Sequence, residues 1–593
     1  MIFIEFCTLL YLISIFSGIS EIILLIIVWA IVWILIFLKN LHNKNRKLVT
    51  ISRFILIIVT FFVTFVILFN TFIFRLSSTI ILKGIVYDIK KSLGDVSLHL
   101  LVPWWMKNSV FYDNNWLNTP FIGAKQIDRV LQYYNFSILD RSFVAFMYFF
   151  LNNLILSHNL FLVLSFLLTY LSTFLIAKKI SKDFFASLLA AITFSFSYIR
   201  VVAFLENQPN LLITFFLPLL LYLFFKYEKE RKTKYLLTFG VLFGLQLIAD
   251  FQIAYFSSLF IFLYFITYAL AERKQSYFFL IILVSIVFSL LALPNILSFI
   301  NLNREFFSTG LPFPLLNIDN WNIFIKNSGG CIPNRYYILP LLIFFAPISL
   351  FYDKKWLPIF FISSSILFWF LSTGIGWQTL KEIIPFYNWG MRLPARFILI
   401  SNFSLSLSLA ISFANIRKIL IRDFFEVEAL IFLLFLVLLV EEIRLSCVSI
   451  IDVYSTFFQD SAYNFIANDT SDFSILEIPN DGEISGYYFF MMLKHNKPLL
   501  NVHSNAWFAF LKEIYYANSS IRALPPSEII EASKINDSIA LLKRANVKYV
   551  IVHKDIMKEE DFKKISGLLQ MINYTVDRDF NNTIVFVKKP DFQ

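Results

Sequence analysis

The chain has 593 residues, of which 58% are hydrophobic and only 15% charged, with a mean hydropathy of +0.71. A soluble domain of this make-up would show water large apolar patches, so a polytopic membrane protein is expected instead. The formal charge of +11 does not point to nucleic acid, because Lys and Arg gather in short loops between apolar runs, the positive-inside pattern.

Taken in chain order, the first 17 residues are apolar but carry Glu5 and no basic leader, so a retained helix is expected rather than a cleaved signal. Runs of about 20 apolar residues are expected to cross the bilayer at 3–17, 20–38, 54–74, 158–177, 183–200, 210–226, 234–250, 251–270, 276–300, 336–351, 356–372, 396–414 and 425–445. The basic loops at 39–53, 178–182, 227–233, 271–275, 352–355 and 415–424 then fall inside, and 75–157, 201–209, 301–335, 373–395 and 446–593 fall outside. This ladder has about thirteen crossings, a cytoplasmic N-terminus and an extracytoplasmic tail in the cell membrane. Phe143–Leu156 is apolar but too short for a span, and is expected to be an interfacial or partly inserted helix at the outer face. Residues 234–270 would make one helix about 55 Å long, so a tight outer turn at Ala249–Asp250 is expected to split them.

The fold class is therefore mainly α: a polytopic transmembrane helical bundle over 1–446, with a large first outer loop at 75–157, and a small extracytoplasmic α/β domain over 447–593. In that tail DFSILEIP, VKYVIVH and NNTIVFVKK read as strands, and PPSEIIEASKINDSIALLKRA and MKEEDFKKISGLLQMI as helices. Cys7, Cys331 and Cys447 match no metal spacing, and a Cys331–Cys447 pairing is the one disulfide the topology leaves open. Glycosylation sequons at Asn135, Asn468, Asn518, Asn536, Asn573 and Asn581 all fall on the outer side, although so short a tripeptide recurs by chance.

The polar chemistry lies in the outer loops. Asp95 and His99 are four apart, so on a helix they share a face, and Leu98, Leu100, Leu101, Val102 and Trp104 surround them with apolar surface. A carboxylate there can act as a general base, or with the imidazole hold a divalent cation. The plain alternative is that Gly94–Asp95 caps an interfacial helix ending at Pro103. Arg392 and Arg396, in NWGMRLPARF, run against the positive-inside pattern at the start of a span. They suit a phosphate, or else snorkel to lipid headgroups. Asp250, with Gln246 four residues earlier, is a costly carboxylate between apolar segments, expected at the outer mouth of the bundle. Glu206 is a further polar point on that side, with an ordinary solvated loop as its simpler reading.

In this order the features resemble the GT-C-type polytopic membrane glycosyltransferases, and among them the bacterial YfhO-like and archaeal membrane proteins. The resemblance is carried by Gly94–Asp95 with His99 following, by QLIADFQIAYF, by IPFYNWGMRLPARF, and in the tail by LEIPNDGEISGYYFFMMLKHNKPLLN. The oligosaccharyltransferase signature WWDxG is missing, since Met106 follows Trp104–Trp105. The resemblance implies a polyprenyl-phosphate sugar donor, Arg392 and Arg396 on its phosphate, Asp95 as base, and inversion at the anomeric carbon. Mg²⁺ or Mn²⁺ assists some members. The implied partners are membrane lipids, the lipid-phosphate donor and an extracytoplasmic glycan, lipid or protein acceptor, with no nucleic acid. Two other classes remain open: a transporter or flippase of lipid-linked intermediates, and a non-catalytic membrane assembly protein.

Overall fold

The computed structural model describes residues 46–73, 75–83, 94–109, 138–205, 208–273, 285–286, 289–290, 340–351, 355–373, 376, 394–420, 448–452, 460–478, 485–499, 542–543, 546–580 and 582–589. In chain order these form α1 (Arg46–Ile73), β1 (Thr79–Lys83), α2 (Gly94–Ser109), α3 (Ile138–Leu151), α4 (Leu154–Ser181), α5 (Phe184–Ser195) and α6 (Tyr198–Leu205). There follow the single turn α7 (Pro209–Leu212), then α8 (Phe216–Glu230), α9 (Thr233–Ala249), α10 (Phe251–Glu272), α11 (Pro340–Phe345), α12 (Trp356–Ser372) and α13 (Ile398–Leu420). The tail contributes β2 (Val448–Asp452), α14 (Ser461–Ala467), β3 (Ser474–Ile478), α15 (Ser485–His495), β4 (Val547–His553), α16 (Glu559–Met571), β5 (Tyr574–Phe580) and β6 (Thr583–Lys588).

The chain divides into two compact units. One holds residues 1–75, 162–205 and 209–448; the other holds 76–161, 206–208 and 449–593. The first is the membrane body, and the chain is a multi-pass membrane protein. Among the described residues four helices are long and apolar enough to cross a bilayer: Leu154–Ser181, Pro209–Glu230, Phe251–Glu272 and Ile398–Lys418. Phe184–Ser195 and Tyr198–Leu205, bent by 44° at their break, add a fifth if they make one span. Shorter apolar helices at Arg53–Val66, Thr233–Ala249, Leu342–Phe351 and Trp356–Ser372 coincide with further expected crossings. The expected spans at 3–17, 20–38 and 425–445, and nearly all of 276–300, lie outside the described residues, as do all three cysteines.

Phenylalanine supplies much of the packing of the body. Phe61, Phe65, Phe69, Phe166, Phe196 and Phe204 interlock ring against ring between α1, α4 and the α5–α6 break. Thr60 and Tyr170 share a buried hydrogen bond of 2.7 Å in the same layer. Inside lipid such contacts, rather than exclusion of water, hold helices together. Of the four long apolar helices the most enclosed is α13, whose serines let neighbours approach closely: Ser401 bonds Ser365 at 2.7 Å, and Ser412 donates to the carbonyl of Phe345 at 2.6 Å.

Several contacts join helix ends within the body. Arg417 pairs with Asp183, the N-cap of α5. Tyr268 donates to Glu228 at 2.6 Å and Trp356 to Glu272 at 3.1 Å. Each of these contacts joins two segments read as cytoplasmic or as bordering such loops. Asn210 donates to Asp250 at 2.9 Å and Arg396 donates to Gln252, joining ends of runs read as spans, at the ends read as facing outward.

The second unit unites the first outer segment with the tail. Strands β1 and β2 pair in a two-stranded sheet, and α2 packs against α15. Leu100, Leu101, Trp104 and Trp105 share one apolar core with Tyr488, Met491 and Met492. Helix α2 does not end at Pro103: it runs on to Ser109, because the turn after the proline buries both tryptophans. The four-stranded sheet has the order β3-β4-β6-β5, with β3 and β4 parallel and the other pairs antiparallel. The three strands read from the sequence are present, and so is helix α16. Strand β5 was not read, since YTVDRDF is polar and lies exposed at the sheet edge. Of the expected helical stretch PPSEIIEASKINDSIALLKRA only Leu542 and Lys543 are described. Beneath the sheet face Glu477 and His553, both fully buried, pair at 2.8 Å, and Tyr463 donates to Glu477 at 3.0 Å.

Candidate functional sites in the two units

In the second unit Asp95 is the second residue of α2, one turn before His99. The helix starts at Gly94, so the segment read as a cap is the N-terminal turn, where partial positive charge favours a carboxylate. His99 is buried, and its Nδ1 lies 3.8 Å from Oδ2 of Asp140, which is also buried. Asp140 and Arg141 sit in the first turn of α3, and His158 and Asn159 in the first turns of α4; all four are buried. Asn159 donates to the carbonyls of Leu76 and Thr79 at 2.8 Å each, tying the turn after α1 to the start of α4. Burial holds His99 well below the usual histidine range, and the positive charge of Arg141 and the His158 imidazole push the same way. His99 is thus a neutral imidazole at ordinary pH.

None of Asp140, Arg141 or His158 was singled out from the sequence. ILDRS reads as an ordinary acidic helix start and LSHNL as a polar residue pair ahead of an apolar run; only packing shows that they are enclosed. Trp104 packs into the apolar core shared with α15.

In the membrane body, Asp250 is the single residue between α9 and α10, as the tight-turn reading expected. It caps α10 by accepting from the backbone N–H of Ile253 at 2.8 Å, and it accepts from Asn210 Nδ2 at 2.9 Å. Arg396, in the 3₁₀ turn ahead of α13, donates to Oε1 of Gln252 and acts electrostatically on Asp250. Phe397 packs at a tilt against Phe256 with ring centroids 4.3 Å apart, which fixes that turn against α10. The structure therefore brings Asp250 and Arg396 together. Gln246 points elsewhere: its Nε2 donates to Ser257 Oγ at 2.7 Å between the two helices. Arg392 and Glu206 lie outside the described residues.

The sequence reading also missed Arg200, which is fully buried at the break between α5 and α6. Its guanidinium donates to the carbonyls of Ser195 and Leu212 at 2.9 Å each, to Thr214 and to the carbonyl of Ser165. Phe166 stacks beneath it at 4.9 Å. These carbonyls and the aromatic face make a pin that clamps the broken helix to α4 and α7.

Among the described residues no three His, Cys, Asp or Glu side chains gather as a metal set. Arg141 also acts as a positive charge on His99. Mg²⁺ characteristically takes one or two carboxylates together with substrate phosphates, and Asp140 is a carboxylate described beside His99.

Residues 142–297 match the family described as dolichyl-phosphate-mannose-protein mannosyltransferase. The matched stretch includes Gln246 and Asp250 and stops short of Asp95, His99, Arg392 and Arg396. No curated protein sequence matches. Among solved structures, ArnT from Cupriavidus metallidurans in the apo state is 10% identical, covers 90% of this chain and 99% of its own, and has a TM-score of 0.49. The same protein bound to undecaprenyl phosphate is 10% identical, with 92% and 100% covered and a TM-score of 0.47. Arabinofuranosyltransferase AftD from Mycobacteria is 11% identical, with 84% of this chain and 41% of that one covered and a TM-score of 0.46. No residue role passes from these structures to this chain.

Proposed function

We propose that the chain is a GT-C-type membrane glycosyltransferase that moves a sugar from a polyprenyl-phosphate donor to an extracytoplasmic glycan, lipid or protein. The observation that carries this reading is the match of residues 142–297 to a mannosyltransferase family whose description names a lipid-phosphate sugar. The acidic N-terminal turn of α2 and the Arg396 turn add chemistry of the right kind. In this reading the body has about thirteen crossings, with the N-terminus in the cytoplasm and the tail outside.

Asp95 takes the proton of an acceptor hydroxyl as that oxygen attacks the anomeric carbon. The bond from that carbon to the phosphate oxygen breaks, polyprenyl phosphate leaves, and configuration inverts. Arg392 and Arg396 bind the phosphate, for which a guanidinium supplies paired donors. No step is routed through Mg²⁺ or Mn²⁺. The test is transfer by the purified full chain in nanodiscs, using radiolabelled polyprenyl-phosphate hexoses and pentoses with an envelope lipid extract as acceptor, with and without EDTA. Release of labelled product from one donor supports the reading, and no transfer from any donor overturns it.

A transporter or flippase is the second reading, favoured by the broken α5–α6 span and its buried Arg200. Against it, four of that guanidinium's hydrogen bonds already go to protein oxygens. A flipping assay on the same nanodisc preparation reconstituted into liposomes separates the two.

A further inference from the structure

We propose that Asp140 is a positioning residue: its carboxylate holds His99 in the tautomer with the proton on Nδ1, leaving Nε2 to accept a hydrogen bond from a sugar hydroxyl. The proposal rests on the transferase reading for the identity of that hydroxyl, but not for the pair itself.

Forty-one positions separate the two residues, so only the packing of α2 on α3 brings them together. An Asp in the first turn of a helix is ordinarily explained by the helix dipole, which favours negative charge there. That explanation needs solvent or the helix end, and it does not need an imidazole. Here the Asp140 side chain is 1% exposed and its Oδ2 faces Nδ1 of a His99 side chain that is 9% exposed. A carboxylate taken that far out of water needs donors directed at it. Nδ1–H of His99 is one within reach.

The consequence for His99 is chemical. A carboxylate beside Nδ1 favours the Nδ1–H tautomer, and in a neutral ring the other nitrogen is then an acceptor. Burial, Arg141 and His158 all oppose a second proton on the ring. His99 is thereby kept as an orienting acceptor rather than a cation, one helical turn from Asp95. At 3.8 Å the pair is longer than a hydrogen bond, and it is expected to tighten to about 2.8 Å in the substrate complex, as such contacts do in many enzymes.

The decisive measurement is independent of turnover. Side-chain ¹⁵N spectra of the full chain in nanodiscs, with the His99 signals assigned by their loss in His99→Gln, report which ring nitrogen is protonated. The wild type should show a protonated Nδ1 and a bare Nε2. Asp140→Asn should shift His99 toward the other tautomer, and Asp140→Glu should restore the wild-type pattern. A wild-type ring protonated on Nε2, or an unchanged pattern in Asp140→Asn, overturns the proposal. In the transfer assay, Asp140→Asn should lower kcat about 10- to 100-fold with the donor KM within about twofold, and Asp140→Glu should recover most of it. The double variant His99→Gln/Asp140→Asn should be no slower than His99→Gln alone. Additive losses would mean that Asp140 acts through the stability of α3 and not through His99. If the wild type transfers no sugar at all, the transferase reading fails while the spectra still decide the pair.

Discussion

Arg396 donates to the side-chain oxygen of Gln252 across a separation of 144 residues. The contact joins the 3₁₀ turn that opens α13 to the first turn of α10, beside the capping carboxylate of Asp250. A guanidinium offers the paired donors that suit a phosphate, and this one also acts electrostatically on Asp250. Arg396→Gln is therefore expected to raise the donor KM about 10- to 100-fold, the equivalent of one charge-assisted hydrogen bond, with kcat changed less. Gln252→Leu should show a smaller shift in the same direction. Steady-state kinetics with varied donor checks both; an unchanged KM in Arg396→Gln removes it from the phosphate role.

Asp95→Asn keeps the size and much of the hydrogen bonding but cannot take a proton. Transfer should fall about 10²- to 10⁴-fold, while yield, membrane insertion and melting temperature stay near wild type. If turnover persists with the helix equally stable, Asp95 is a first-turn charge and nothing more.

The membrane body was legible in the sequence because hydropathy and loop charge are local signals. The helices at 154–181, 209–230, 251–272 and 398–420 fall where apolar runs placed them, and Asp250 marks the turn at 249–251. The shared core of α2 and α15 was not legible, since no local pattern links Leu100 or Trp105 to Tyr488 or Met491. The same limit hid Asp140, Arg141 and His158. Their burial arises from three helix starts meeting in space, while each alone looks like a solvated helix end. Proline misled in the other direction, as Pro103 reads as a stop although the helix continues past it.

In the tail, His495 is buried against Tyr463 with near-parallel rings 5.7 Å apart, and its Nδ1 accepts from the backbone N–H of Lys497. Burial, reinforced by Lys497 and Lys494, depresses its pKa from 6.5 to about 3. An unfolded chain would bind a proton there below about pH 6.5, and the folded one only near pH 3. Its contribution to stability is therefore complete above pH 6.5 and shrinks as pH falls from 6.5 toward 3. Thermal unfolding of the full chain in detergent, followed by tail-specific fluorescence, should show a midpoint falling over that window. His495→Gln should flatten the fall even if it lowers the midpoint overall; an equally steep fall in that variant would assign the acid sensitivity to other groups.

The charge ladder makes a direct labelling prediction. In a cysteine-free background, single cysteines at Lys229 or within 415–424 should resist a membrane-impermeant maleimide on intact cells, and one at the exposed Asn468 should react. Arg417 and Asp183 pair at one set of helix ends, so cysteines near both must behave alike. The reverse pattern would invert the whole arrangement.

Helix α3 carries the remaining prediction. Its Val144 and Ala145 are buried, yet Phe146, Phe149 and Phe150 stand 62%, 54% and 68% exposed. Three adjacent phenylalanines would be a costly patch in water, and 14 residues span only about 21 Å, too little to cross the hydrocarbon. The helix ends two residues before α4 begins, and Lys107 lies over the Tyr148 ring at 3.9 Å while bonding Asn152, a cation of the kind that pairs with lipid phosphates. A helix lying in the interface satisfies all of these at once. Phe149→Trp in nanodiscs should emit as a partly dehydrated indole, quenched more strongly by bromine near the top of the acyl chains than by bromine near their ends. Equal quenching at both depths would mean a spanning helix and would invert the topology downstream. No quenching at either depth would mean that another protein surface covers these rings.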